Sequence, residues 1–143
     1  MAENTETLRQ EVWALFKPKQ TVGLATVEDG APRVRPVTVI HHERELYVAT
    51  GSADAKVRQL RANPSFEFYF LVGGRESQGS VRASGRAEFV TDPATRRAAA
   101  DMMPYFAEFW QTPDDPRFVL LRLHVDAFEY LRPGTLDIRR VEA

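Results

Sequence analysis

The chain has 143 residues, 43% of them hydrophobic, which predicts a single domain over residues 1–143 with a sizeable buried core. Its 19 lysines and arginines balance 20 aspartates and glutamates, so the net charge of -1 gives no overall attraction to nucleic acid or to an anionic membrane, and neither is expected as a partner. The absence of cysteine excludes disulfides, thiolate catalysis and cysteine-ligated metal centres.

The N-terminal segment predicts an amphipathic helix and no targeting signal. Leu8, Val12 and Phe16 recur at helical spacing, and Lys17-Pro18 ends the pattern. The polar start "MAENTETLRQ" lacks the basic and apolar regions of a signal peptide, and no apolar run approaches the roughly 20 residues of a membrane helix. A cytoplasmic location is therefore expected.

The next segment predicts a meander of three strands. Residues 21–27 and 34–40 are rich in β-branched side chains and flank Asp29-Gly30, a strong hairpin signal, so these two strands should be antiparallel neighbours. A third strand follows at residues 46–50. It leads into a short helix over about residues 53–61.

The second half of the chain predicts further strands and a helix. Residues 65–72 alternate aromatic with other side chains, and residues 80–90 form a fifth strand in which Gly85 indicates a bulge. Asp92-Pro93 begins a helix, and a long final strand, bulged around Val125 to Ala127, follows an aromatic and proline-rich segment. About six strands with helices between them predict an α+β antiparallel barrel.

The stretch that follows the third strand carries a candidate anion site. Thr50, Gly51 and Ser52 precede a helix that bears Lys56. The first N–H groups of a helix have no partner within the helix, and its dipole favours an anion there, so a phosphate could bind. The alternative is an ordinary cap, in which Thr50 or Ser52 accepts those N–H bonds and no ligand binds.

Two arginines on the second strand favour the anion interpretation. Arg33 and Arg35 share one face because strand side chains alternate with a period of two. In a meander this strand lies beside "LYVAT", so both guanidinium groups are expected to converge near Thr50 and Lys56. The alternative is that exposed arginines merely solvate a sheet face.

Other chemistries find little support in the sequence. His41 and His42 are adjacent, so they face opposite sides of a strand, and His124 is remote from both; no metal site is expected. No G-x-S-x-G motif is present. The segment "PYFAEFW", which ends at Trp110, packs either on a planar ligand or in a core, the usual place of aromatic clusters.

The order of these segments resembles that of the pyridoxamine 5'-phosphate oxidase-like flavoproteins, the FMN-binding split barrels. The hairpin "LATVEDGAPRVRPV" comes first, "YVATGSADAKVRQLRANP" follows, and "SVRASGRAEFV" comes later. The ending "DDPRFVLLRLHVDAFEYL" looks like the general-stress-protein branch. The resemblance implies an antiparallel six-stranded split β-barrel with flanking helices, and a homodimer with two equivalent cofactor sites at its interface.

The resemblance also implies where FMN would bind. In the family the ring lies against the strand that matches residues 35–38, the phosphate lies where Thr50, Ser52 and Lys56 stand, and the second subunit contributes groups near Gln78. Together with the argument from the residues themselves, the candidate cofactor-binding set is Arg33, Arg35, Pro36, Val37, Thr38, Thr50, Gly51, Ser52, Lys56, Gln78, Ser80 and Trp110.

Two differences from the vitamin B6 oxidases of this family indicate that the chain does not catalyse their reaction. The oxidases that act on vitamin B6 carry a lysine where this chain has Ile40, and their C-terminal substrate-binding segment is missing here, so that reaction is not expected. The resemblance implies an FMN-dependent oxidoreductase that passes electrons between a nicotinamide donor and a small acceptor, with no catalytic side chain because the cofactor supplies the chemistry. The alternatives are a non-catalytic flavin carrier or sensor and a deazaflavin-dependent reductase; some relatives bind haem instead.

Overall fold

Seven strands and three α-helices make up the part of the chain, residues 4–143, that the computed structural model describes. The strands are β1 (Lys19–Glu28), β2 (Ala31–His42), β3 (Glu45–Gly51), β4 (Ser65–Gly73), β5 (Gln78–Phe89), β6 (Phe118–Leu131) and β7 (Ile138–Glu142). The helices are α1 (Thr5–Ala14), α2 (Ala55–Ala62) and α3 (Pro93–Asp101), with one 3₁₀ turn (Phe106–Glu108). No helix in this range is long and apolar enough to cross a membrane.

Six of the strands close into a barrel. They are hydrogen-bonded in the order β3-β2-β1-β4-β5-β6, and β3 also pairs with β6, which completes the ring. All of the pairings are antiparallel. The chain is therefore an α+β protein with a six-stranded split barrel, and the expected fold class is confirmed.

The split lies along one edge of β2. Residues 31–40 of this strand pair with β1, whereas only residues 40–42 pair with β3. From Ala31 to Val39 the far edge of β2 therefore has no strand beside it in the described part of the chain. Half of the backbone N–H and C=O groups there point away from β1, as on any edge strand.

The predicted hairpin turn and bulge are both present. Asp29 and Gly30 adopt φ values of 50° and 79°, the left-handed conformation that a two-residue hairpin turn requires. The β5–β6 register shifts between Ser84 and Gly85, so that Asp126 is the extra residue on β6. A Cβ atom at Gly85 would collide with the carbonyl oxygen of His124, which explains why this position is glycine.

Two hydrophobic cores lie on opposite sides of the barrel wall. The larger core fills the barrel and its end, where Val12 of α1 packs with Leu24, Phe68 and Phe128. The smaller core lies under α3 and the 3₁₀ turn, and it includes Phe118 of β6. Val57 and Leu60 of α2 belong to the larger core, so this helix packs against the barrel beside β1.

The strand β7 is a feature that the sequence did not predict. It pairs with residues 127–131 of β6, along the edge that β3 leaves free. Only Val141 in β7 is buried, so the segment shows none of the regular alternation that identifies a half-buried strand.

Candidate functional site

The end of β3 and the start of α2 bring together three of the predicted phosphate-binding residues. The Thr50 hydroxyl donates to Asp54 Oδ2 over 2.5 Å and accepts from Lys56 Nζ over 2.8 Å. The backbone N–H of Gly51 donates to the same carboxylate oxygen over 2.9 Å. The Thr50 hydroxyl, the Gly51 N–H and the Lys56 ammonium thus converge on one anionic group, which in this chain is its own Asp54.

The helix-cap interpretation of Thr50 and Ser52 is wrong. The N-cap residue of α2 is Asp54, and no side chain caps the helix there, because the carboxylate turns back toward Thr50 and Gly51. Ser52 fixes the loop through its backbone, whose N–H donates to the carbonyl oxygen of Arg117 over 2.9 Å. The start of α2 therefore keeps the polar N-terminal end on which the anion interpretation rests.

Arg35 also turns toward α2, but by a different path from the one predicted. Its Nη1 donates to Thr26 Oγ1 over 2.8 Å and to the Leu24 carbonyl oxygen over 3.2 Å, and its Nη2 donates to Gln59 Oε1 over 2.6 Å. Gln59 stands three residues after Lys56, on the same face of α2. Arg35 of β2 therefore contacts α2 about one helical turn after Lys56.

The expectation that Arg33 and Arg35 lie beside "LYVAT" is wrong. The pairing of β2 with β3 stops at Ile40, and the two arginines lie opposite Thr26 and Leu24 of β1 instead. The reason is the split of the barrel, which separates β2 from β3. Arg33 stays exposed, where its charge helps to lower the pKa of Glu28, a carboxylate held chiefly by hydrogen bonds from Gln59 and Arg58.

The charges at this site do not cancel. Among residues 4–143, no carboxylate lies within 4.0 Å of the Arg35 guanidinium, and burial lowers the pKa of this arginine. Lys56 faces Asp54 at 3.5 Å. The pKa of Asp54 is lowered, chiefly by the Thr50 hydroxyl, so its carboxylate is charged at neutral pH. One uncompensated positive charge, on Arg35, remains.

The other predicted residues of β2 divide between its two faces. Arg35 and Val37 lie opposite Leu24 and Val22 on the inner face, whereas Pro36 and Thr38 are exposed on the outer face. A cavity of about 490 Å³ opens on that outer face, between β1, β2 and β4. Arg35 lines this cavity together with Pro36, and its guanidinium also contacts Gln59 of α2.

The outer face continues from this cavity onto β5. A neighbouring cavity of about 280 Å³ is bounded by Val34, Tyr69, Leu71 and Ser80. Ser80 lies opposite Leu71, and Gln78 lies opposite Gly73 at the exposed end of β5. The structure therefore places Gln78 and Ser80 on the outer face of the sheet, away from Thr50 and Lys56.

Trp110 lies in the smaller core. Its ring centroid is 5.0 Å from that of Phe118 and 5.3 Å from that of Phe106, and only 9% of its surface is exposed. Of the two interpretations of the aromatic segment, the structure supports packing in a core for Trp110, whereas Phe109 is 63% exposed. The position of Trp110 gives no support to a direct cofactor contact.

Gln59 is the site residue that the sequence analysis missed. It is 5% exposed and takes part in three hydrogen bonds, to Thr26, Arg35 and Glu28. Its position beside the buried Val57 and Leu60 of α2 was visible in the sequence as a polar residue on the helix face toward the core. Its partners come from β1 and β2, and no local pattern could name them.

The fold agrees with the comparison to known proteins. The family model described as pyridoxamine 5'-phosphate oxidase matches residues 8–132, so the chain belongs to that family. No curated protein sequence shows a significant match.

Several solved structures share the fold. General Stress Protein 26 from Bacillus anthracis is 21% identical, with a TM-score of 0.69 over 95% of this chain and 98% of that one. A NimC/NimA family protein from Clostridium acetobutylicum is 20% identical, with a TM-score of 0.73 over 96% and 91% of the two chains. A heme binding protein from Mycobacterium smegmatis is 17% identical, with a TM-score of 0.77 over 99% of this chain and 59% of that one.

Proposed function

We propose that the chain is a homodimeric FMN-binding flavoprotein that transfers electrons from a nicotinamide donor to a small acceptor. The observation that carries this proposal is the partly buried Arg35, which has no carboxylate partner in the described chain and contacts α2 through Gln59, three residues after Lys56. Even partial burial of a cation without a counterion has a desolvation cost, which a bound anion offsets, and a guanidinium and a helix N-terminus both bind phosphate well.

The residues present fit a phosphate-bearing flavin. Arg35, Lys56 and the Gly51 N–H are donors for the phosphate, with Thr50 orienting the lysine. The open edge of β2 between Ala31 and Val39 offers backbone donors and acceptors to the heterocyclic ring. The bound flavin supplies hydride and electron transfer, and the task of these side chains is to hold it and to balance its charge.

The outer face of the barrel supports the homodimer. Val34, Tyr69 and Leu71 are exposed by 68%, 48% and 58%, and they border the two cavities. The apolar surface continues along one row of paired residues from Leu71 past Ser80 to Ile138. A contiguous exposed apolar surface of this kind usually marks an interface, which a second copy of the chain would cover.

Two measurements test the proposal. The purified protein is reconstituted with FMN, and binding is followed by flavin absorbance and by calorimetry; a chain that binds no FMN would refute it. The complex is then mixed with NADH or NADPH without oxygen. An oxidoreductase loses its flavin absorbance, whereas a carrier or sensor stays oxidised. The spectrum and mass of the group that co-purifies distinguish flavin from deazaflavin and haem.

A further inference from the structure

Gln59 links an exposed ion pair to the partly buried Arg35 of the site. On one side its Nε2 donates to Glu28 Oε2 over 2.9 Å, and the same oxygen accepts from Arg58 Nη2 over 2.6 Å. On the other side its Oε1 accepts from Thr26 Oγ1 over 2.5 Å and from Arg35 Nη2 over 2.6 Å. Because the Glu28 carboxylate can only accept, it fixes the Gln59 amide with its oxygen toward Arg35.

The hydrogen bonds leave one edge of the guanidinium open. Arginine has five N–H donors, and three of those of Arg35 are used: two on Nη1, by Leu24 and Thr26, and one on Nη2, by Gln59. The two that remain, on Nε and Nη2, lie along the same edge and have no acceptor among residues 4–143. That edge has the geometry that binds two oxygens of a phosphate or carboxylate side by side.

The amide at position 59 is neutral, so it leaves the positive charge of the Arg35 guanidinium in place. A glutamate there would accept the same bonds from Thr26 and Arg35, but it would neutralise the guanidinium and weaken its pull on an anion. Gln59 is 5% exposed and so belongs to the wall of the site. It therefore orients Arg35 without cancelling its charge.

We infer that Gln59 is a positioning residue that makes the site select ligands carrying a phosphate, because it aims the open edge of Arg35 and keeps that arginine uncompensated. This inference rests on the proposed function. The inference adds one point to that function. Recognition of the phosphate depends on whether position 28 or position 59, which are hydrogen-bonded to each other, carries the carboxylate.

The test exchanges the amide and the carboxylate. The double variant Glu28→Gln/Gln59→Glu keeps the composition, the net charge and the hydrogen-bonding groups, and it moves one negative charge from beside Arg58 to beside Arg35. Glu28→Gln alone is the matched control: it removes the exposed carboxylate, but Arg58 can only donate and so keeps the side-chain oxygen at position 28 where it still accepts from Gln59 Nε2. Both variants and the wild-type protein are titrated calorimetrically with FMN and with riboflavin, and their thermal unfolding is measured.

The inference predicts that the double variant loses affinity for FMN but not for riboflavin. FMN affinity should fall about tenfold or more, as expected when a charge-assisted bond to the phosphate is lost, while riboflavin affinity and thermal stability stay close to wild type. The control should bind FMN within about twofold of wild type. Equal affinity of all three proteins for FMN would overturn the inference, as would a parallel loss of both ligands. A wild-type protein that binds no FMN would instead refute the proposed function, and the role of Gln59 with it.

Discussion

Replacing Asp54 with asparagine is expected to strengthen FMN binding and to leave riboflavin binding unchanged. The Asp54 carboxylate accepts hydrogen bonds from Thr50 and Gly51 and faces Lys56, so it occupies the donors that a phosphate would use. Asparagine can keep both hydrogen bonds through its side-chain oxygen, but it carries no charge. The variant therefore removes a competing anion while it preserves the shape of the loop.

The size of the effect follows from the charges and the exposure. Two unit charges about 5 Å apart interact by ~3 kcal/mol at an effective dielectric constant of about 20. The Asp54 side chain is 50% exposed, and solvent screening reduces this repulsion to ~1 kcal/mol. FMN should therefore bind about fivefold more tightly to Asp54→Asn than to the wild-type protein.

The assay is calorimetric titration of both proteins with FMN and riboflavin at low ionic strength. Asp101→Asn, at the end of α3, makes the same change in net charge away from the site and should leave both affinities unchanged. Weaker FMN binding by Asp54→Asn would mean that the carboxylate supports the ligand, and it would refute the placement of the phosphate. An equal gain for riboflavin would refute it as well.

Three further predictions concern stability and assembly. Burial between Trp13 and Phe16 lowers the pKa of His41, so the unfolded chain binds a proton more tightly than the folded one. The free energy of unfolding should therefore fall as the pH drops below about 6.5. In His41→Phe, the free energies of unfolding from denaturant titrations at pH 7 and pH 5 should differ less than in the wild type. Gly85→Ala should lower the free energy of unfolding by about 2–3 kcal/mol because its Cβ meets backbone, whereas Gly74→Ala, in open space, should change it by less than about 0.5 kcal/mol; equal effects would contradict this account. Leu71→Asp should convert a dimer to a monomer in sedimentation experiments, and an unchanged dimer would place the interface elsewhere.

The elements that the sequence predicted correctly are those that local chemistry determines. Asp29-Gly30 requires positive φ values, Gly85 marks the bulge, and Asp92 accepts from the Thr95 N–H at the start of α3 as a capping residue should. The order of such segments then identified the split barrel. These features depend on neighbours along the chain, so they can be predicted from a single sequence.

The parts that the sequence could not predict depend on distant contacts. How far β2 pairs with β3 is set by the closure of the barrel through β6, and without that register Arg35 was placed beside the wrong strand. Gln59 acquires its role only when Thr26 and Arg35 reach it from β1 and β2. The sequence proposed Thr50, Lys56 and Arg35 for the anion site, but the hydrogen bonds that hold Arg35 come from residues distant in the chain.

The central claim, that the residues around α2 hold the phosphate of a flavin, is tested most directly by titrating wild-type and Lys56→Ala proteins with FMN and riboflavin. Lys56 meets only the phosphate end of the ligand in this account, so the variant should lose affinity for FMN by about tenfold and retain its affinity for riboflavin. Equal losses for both ligands would contradict the claim.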